Sequence, residues 1–477
     1  TCFLAVMLTL TAFFCFATTY FTNMFTIPLG GDFVLQEIPF IFNGYDDWKY
    51  FFKTGEFVLW DTSGFLGVNN IGANQFYYLT SPWFLIYLLF PRNILPQVQG
   101  ILTMVKLVTG GLLFNKYLES FNIKKGTRNM GSIAFAFCGW MFYNLWFHFI
   151  DAAVLLPLLL LGFEKVFKKK GPFTLIAGIV LLGFTNFFFL SSFCLASIPY
   201  VLFRLMQLVG SKQVGLKDFS RIALDGVVGV ALGLCIVAVA LLPSVFSTIN
   251  MPRVSSASDE IPFFTFPKPY EAIYPLCSFL FMNITCFSTN LFRNNYYNNT
   301  MSSIFVFTPF VLMMIPSLIH SIAKKKYSYL VGYAGTLFML FTPFFYYFFH
   351  AFTIGYGRWE IMAVCWMIVF FCKNYDERRS MPKFYLDISL GVVIGLMVIA
   401  SLFANKVQAD NPDTFHGPDG RNILVPLQAA YLIICYIIMR TQFHKKRLTR
   451  ILFFMMAAEA IVQGNVTIIG QGVQKYQ

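Results

Sequence analysis

Asp32, Glu37, Asp46, Asp47, Glu56 and Asp61 crowd into one stretch of a 477-residue chain that holds only 22 acidic residues. Carboxylates gathered in this way can take a proton from a hydroxyl nucleophile or hold a divalent cation through oxygen ligands. Asp32 lies just past residues 2–21, an uncharged run long enough to cross a hydrocarbon core of about 30 Å as a helix. The placement points to chemistry at a membrane face. Gln36 follows Asp32 by one helical turn, and Trp60, Tyr77, Tyr78 and Trp83 come after it. Aromatic faces beside carboxylates and amides suit carbohydrate, although the same residue types also build the interfacial belt of a membrane protein.

Three further groups sit near the ends of other apolar runs: His148 with Asp151, and Arg358 within Tyr356-Gly357-Arg358-Trp359. Ionisable residues at membrane depth are costly unless paired or wetted, so each is a functional candidate by default. Each also has a plainer role. Asp151 can cap the helix that runs through Leu155-Leu156-Pro157. His148 can be a simple interfacial histidine. Arg358 can snorkel to lipid headgroups, or, beside aromatic residues, hold a lipid-linked phosphate. No His, Asp or Glu spacing matches a strong metal motif, and Asp32, Asp46 and Asp47 are the group whose oxygens would suit a divalent cation.

The elements that must position these residues follow from composition. A chain that is 57% hydrophobic and 12% charged, with a mean hydropathy of +0.65, is a polytopic membrane protein and not a soluble one. The net charge of +13 does not indicate nucleic acid, because Lys and Arg concentrate in short loops between apolar runs. The ten cysteines show no Cys-x-x-Cys, and only Cys277 and Cys286 fall together in a long outer loop. The first apolar run has no small-residue cleavage site and is expected to be retained as a span. The Asn-x-Thr sequons at Asn283, Asn298 and Asn465 are short enough to arise by chance.

The apolar runs predict an all-α fold of about thirteen spans, near 2–21, 98–118, 129–148, 152–167, 173–188, 190–208, 222–243, 302–322, 329–349, 358–372, 384–404, 424–440 and 451–468. Residues 77–90 contain Pro82 and are too short to cross, so a re-entrant or interfacial helix is expected there. The basic loops test the count. Lys124-Lys125-Arg128, Lys168 to Lys170, Lys212 to Arg221, Lys324 to Lys326, Arg378-Arg379-Lys383 and Arg440 to Arg450 all fall on one face, the cytoplasmic one by charge bias. The loops 23–76, 244–300 and 405–423 are then outer loops, carrying short interfacial helices. Residues 1–468 form the transmembrane unit, and the polar, β-leaning stretch 466–469 leads into 469–477 as the expected start of an outer C-terminal region.

The ordered set of short patterns resembles the YfhO-type bacterial membrane proteins. Gly31-Asp32-x-x-x-Gln36-x-x-Pro39-Phe40, Trp60 with Gly64, Gly67 and Asn70, and Tyr77-Tyr78-Leu79-x-Ser81-Pro82 are similar to the opening of that family. Ala134-Phe-Ala136-Phe-Cys-Gly139-Trp-Met141-x-x-Asn144, Asp151-x-x-x-Leu155-Leu156-Pro157, Asn186-Phe187-Phe188-Phe189 and Arg358-Trp359 match its later landmarks in order. The chain departs from the pattern at Ser191-Ser192, Gly357 and Glu360.

The resemblance implies an integral-membrane glycosyltransferase of the GT-C type. It would take a polyprenyl-phosphate sugar as donor and decorate a cell-wall polymer, such as lipoteichoic acid, outside the cell. The family's first-loop carboxylate falls on Asp32, which would serve as general base toward the acceptor hydroxyl. Arg358, with Arg253 or Lys268 from the outer loop, would stabilise charge on the departing phosphate. Gln36, Trp60, Tyr77, Tyr78, His148 and Asp151 would line the substrate site. The implied partners are the lipid-linked donor, the polymer acceptor and the bilayer, with no nucleic acid. A transporter or flippase of a lipid-linked sugar or polymer, or a noncatalytic scaffold of wall synthesis, is the alternative. A transporter would place its ionisable residues near the midplane on broken helices.

Overall fold

The computed structural model describes residues 2–27, 32–62, 67–249, 269–281, 303–352, 355–410 and 421–470. Backbone polar groups in lipid must be satisfied within the segment, which leaves helices as the spanning solution for a chain of this composition. The described residues are accordingly mostly helical. Their strands are two, Trp60–Asp61 and Val68–Asn69, an antiparallel pair in which Trp60 faces Asn69.

Five helices among the described residues are long and apolar enough to cross a membrane: Arg92–Glu119, Phe187–Gly210, Asp218–Ser247, Phe384–Leu402 and Leu448–Ile468. Shorter apolar helices, Cys2–Cys15, Phe173–Thr185, Thr308–Ala323 and Tyr327–Phe341, occupy other expected spans. The described residues thus show a helical fold with several membrane-competent helices, and not all of the about thirteen expected crossings are single continuous helices. The run 2–21 breaks at Phe16 into Cys2–Cys15 and Ala17–Thr22. The run 129–148 is not one span, because the helices Lys125–Ala136, Gly139–Tyr143 and Phe147–Ala153 succeed each other with breaks between. Hydropathy does not register such breaks. Residues 303–307 are non-helical though buried, and Phe305 carbonyl accepts the Gly139 N–H at 3.0 Å, so two interrupted segments satisfy each other.

Residues 77–90 form no spanning helix; the 3-10 turn Phe84–Leu89 packs with Ile41, Tyr45 and Tyr78 in a second apolar cluster. The β-leaning stretch 466–469 is helical, inside Leu448–Gly470, and residues 471–477 lie outside the described residues.

Small residues set the helix contacts. A Cβ on Gly162 would stand 2.5 Å from the Leu175 Cα, and one on Gly178 would stand 2.9 Å from the Leu159 Cα. Only glycine permits this approach of Leu156–Phe167 to Phe173–Thr185. On its outer face the helix Leu216–Ile249 exposes Leu224, Val227, Val239 and Phe246, an apolar surface suited to lipid.

The basic loops meet at one end of the bundle. Lys124 N–H and Thr127 Oγ1 donate to the Asp376 carboxylate at 2.7 and 2.5 Å. Lys168 Nζ reaches Ser120 O, Lys169 pairs with Asp218 at 2.8 Å, Lys326 pairs with Glu377, and Arg378 donates to Lys445 O at 3.3 Å. Asp32 belongs to the other end, with the loop that follows the first helices.

Candidate functional site

Asp32 is exposed and stands at the start of the π-helical turn Phe33–Glu37, which runs into the helix Ile38–Thr54. A π turn widens the residue spacing and recurs at functional sites. Gln36 Nε2 donates to the Tyr77 hydroxyl at 3.1 Å, and the Tyr77 ring packs on Phe40 with centroids 4.2 Å apart. Glu37, at the end of the same turn, is fully buried. Its Oε1 lies 2.6 Å from His148 Nδ1, and its Oε2 accepts the Phe147 N–H at 3.1 Å. The carboxylate thus meets both the imidazole and the first N–H of the helix Phe147–Ala153, where negative charge is favoured.

Around this pair lies an aromatic shell. The His148 ring contacts Phe149, Phe76 and Tyr77 at centroid distances of 4.3, 4.8 and 5.1 Å. Phe149 is also one of three rings under the Arg358 guanidinium, which stands 4.4 Å from it, 5.1 Å from Phe188 and 4.2 Å from Tyr356. Such stacking holds a guanidinium plane in place. Asn186 fixes two of the walls at once. Its side-chain carbonyl accepts the Phe189 N–H at 3.0 Å, and its Nδ2 donates to Phe76 O at 2.7 Å.

Asp151 sits inside the helix Phe147–Ala153 and is buried, so it does not cap the helix that follows, whose N-cap position is Leu155. That helix is entered through Pro157 near its start, and Asp151 turns elsewhere. It pairs with Lys106, also buried, and accepts a hydrogen bond from Ser81 Oγ at 3.1 Å. Lys106 Nζ lies 5.9 Å from the Trp83 ring. Charges taken from water to this depth persist because each compensates the other.

The remaining acids have separate partners. Asp46 forms an exposed ion pair with Arg92 at 2.9 Å. Asp47 accepts from Asn70 Nδ2 at 3.1 Å and from the Tyr78 hydroxyl at 3.4 Å. Burial raises the Asp47 carboxyl above its ordinary pKa, against the lowering effect of the Asn70 hydrogen bond and with Asp61 adding to the rise. Among the described residues no three His, Cys, Asp or Glu side chains come together to hold a metal ion. Asp46 and Asp47 are consecutive on one helix and turn to different neighbours, which separates two of the oxygen donors expected to act jointly.

Of the residues singled out in the sequence, Gln36, Tyr77, His148 and Arg358 are drawn together by the aromatic shell, with Asp32 at the head of the turn that carries Gln36. Tyr78 is buried in the second apolar cluster, and Trp60 is exposed on the two-stranded hairpin. Arg253, Lys268 and Cys286 lie outside the described residues. Glu37 and Lys106 were not foreseen as site residues. Their signal was present, since Lys106 is an isolated charge within an apolar stretch and Glu37 is one of the acids gathered after the first apolar run.

The family model described as bacterial membrane protein YfhO matches residues 1–477 of the chain. No curated protein and no solved structure matches it.

Proposed function

We propose that this chain, which belongs to the YfhO family of bacterial membrane proteins, is a GT-C-type glycosyltransferase that moves a sugar from a polyprenyl-phosphate donor to a cell-wall polymer such as lipoteichoic acid outside the cell. The observation that carries the reading is the mounting of Arg358 on Phe149, Phe188 and Tyr356, joined through Phe149 and His148 to the turn that begins at Asp32. An oriented cation and a solvent-facing carboxylate are the two charges that such a transfer needs.

In this mechanism the acceptor hydroxyl oxygen attacks the anomeric carbon while the bond from that carbon to the phosphate oxygen breaks. The hydroxyl proton passes to the Asp32 carboxylate, a general-base contribution of about 10² to 10⁴ in rate. The departing polyprenyl phosphate keeps the bonding electron pair, and Arg358 stabilises the charge that appears on it. A single displacement inverts the anomeric centre. Gln36 and Tyr77, hydrogen-bonded to each other, are suited to order sugar hydroxyls.

A second reading, movement of a lipid-linked sugar across the bilayer, draws on the buried Lys106–Asp151 pair. One experiment separates the two. The purified full chain, reconstituted in vesicles with a radiolabelled polyprenyl-phosphate sugar and a lipoteichoic acid acceptor, should yield labelled polymer and free polyprenyl phosphate in equal amounts. Donor that changes leaflet with no labelled polymer formed would replace the transferase by the transporter.

A further inference from the structure

A lateral groove of about 570 Å³ lies between the helices Leu156–Phe167, Phe187–Gly210 and Leu216–Ile249. Its lining is wholly apolar and includes Phe163, Phe167, Val201, Leu205, Ile222 and Gly226. A Cβ added at Gly226 would meet nothing within 4 Å, so the groove is open at that point. Behind it, Glu164 and Arg204 neutralise each other, with Arg204 Nε and Nη2 donating to the carboxylate at 2.6 and 2.7 Å. The lining residues themselves carry no charge.

The groove reaches the basic end of the bundle. Lys168 to Lys170 follow Phe167 directly, and the Lys169–Asp218 pair, 2.8 Å apart, closes this end beside the lining residue Phe219. Lys170 folds back on the end of Leu156–Phe167, its N–H bonded to Lys165 O at 2.9 Å, and Lys212 follows the end of Phe187–Gly210 with its N–H bonded to Val209 O at 2.9 Å. Both side chains are exposed, and neither has a carboxylate partner among the described residues. Long lysine side chains at such a position reach to headgroup level.

We propose that this groove is a binding site for an anionic glycerophospholipid of the leaflet at the basic end, with the acyl chains in the groove and the phosphate met by Lys170 and Lys212. Basic pockets between membrane helices recognise anionic headgroups, at about 1 kcal/mol per cation, or about fivefold in retention. A zwitterionic headgroup carries its own ammonium and gains little from the lysines. The site is distinct from the Asp32 end and stands whether or not the chain transfers sugar.

The full chain, reconstituted in vesicles of phosphatidylglycerol and phosphatidylcholine at equal mole fraction and taken into mild detergent, tests this by native mass spectrometry of the retained lipid. Wild type should retain phosphatidylglycerol over phosphatidylcholine by about tenfold or more, and Lys170→Gln with Lys212→Gln should bring the two near parity. Gly226→Leu should lower retention of both lipids by filling the groove, and Ala223→Leu serves if the first variant elutes aggregated. Equal retention of the two lipids by wild type, or undiminished phosphatidylglycerol on a monodisperse groove-filled variant, would overturn the proposal.

Discussion

Glu37 and His148 meet with the carboxylate Oε1 2.6 Å from the imidazole Nδ1, both side chains buried, and this contact fastens the turn that carries Asp32 to the helix Phe147–Ala153. Phe149, next to His148 and under the Arg358 guanidinium, is tied to the Asp32 turn in part through this contact. Removing one partner strands the other away from water. Glu37→Ala should destabilise the protein by about 3 kcal/mol or more, and Glu37→Gln by less, because the amide still accepts the Phe147 N–H. Thermal unfolding in detergent measures both. The double variant with His148→Ala should cost less than the sum of the single changes, and strict additivity would show that the pair is not coupled.

Lys106 and Asp151 form a second buried pair. Lys106→Met leaves a carboxylate buried without its cation and should cost about 3 to 5 kcal/mol, whereas Lys106→Met with Asp151→Leu should recover most of that loss. Expression level and unfolding temperature report the difference. A Lys106→Met protein as stable as wild type would mean that Asp151 finds water or another donor.

Asp32→Asn should lower sugar transfer by about 10² to 10⁴, while stability changes by less than about 0.5 kcal/mol, since an exposed amide keeps the shape but cannot take the proton. Transfer is compared at equal folded protein. Near wild-type turnover would remove Asp32 as base.

Arg358→Ala should weaken use of the donor by about 1.5 to 3 kcal/mol, the value of a charge-assisted contact. Arg358→Lys should restore part of it, because the ammonium carries the charge without the planar fork that stacks on Tyr356 and Phe149. Donor saturation curves give the answer, and unchanged constants for the alanine variant would end the phosphate assignment.

Orientation is open to direct measurement. In a cysteine-free background, a cysteine at position 32 should react with an impermeant reagent from outside the cell. One at position 325, next to the Lys326–Glu377 pair, should react only after permeabilisation. Labelling of position 325 from outside would invert the arrangement.

The sequence by itself determined the membrane class, the approximate place of the helices and the common face of the basic loops. Hydropathy and loop charge are local properties, and they sum along the chain without reference to the fold. It also marked Asp32, Gln36, His148 and Arg358 through residue type and position. What only the tertiary structure decided was pairing and interruption. An isolated charge such as Lys106, or one acid among several such as Glu37, does not name its partner: the partners, Asp151 and His148, stand far off in sequence and are chosen by how the helices pack. The breaks at Phe16 and within 129–148 escape a hydropathy window because an apolar residue reads the same in a helix and in a turn. The stretch 466–469 is the converse case: β-branched residues favour a strand, yet a segment continuing a membrane helix must satisfy its backbone hydrogen bonds within itself, and that requirement overrides the local preference.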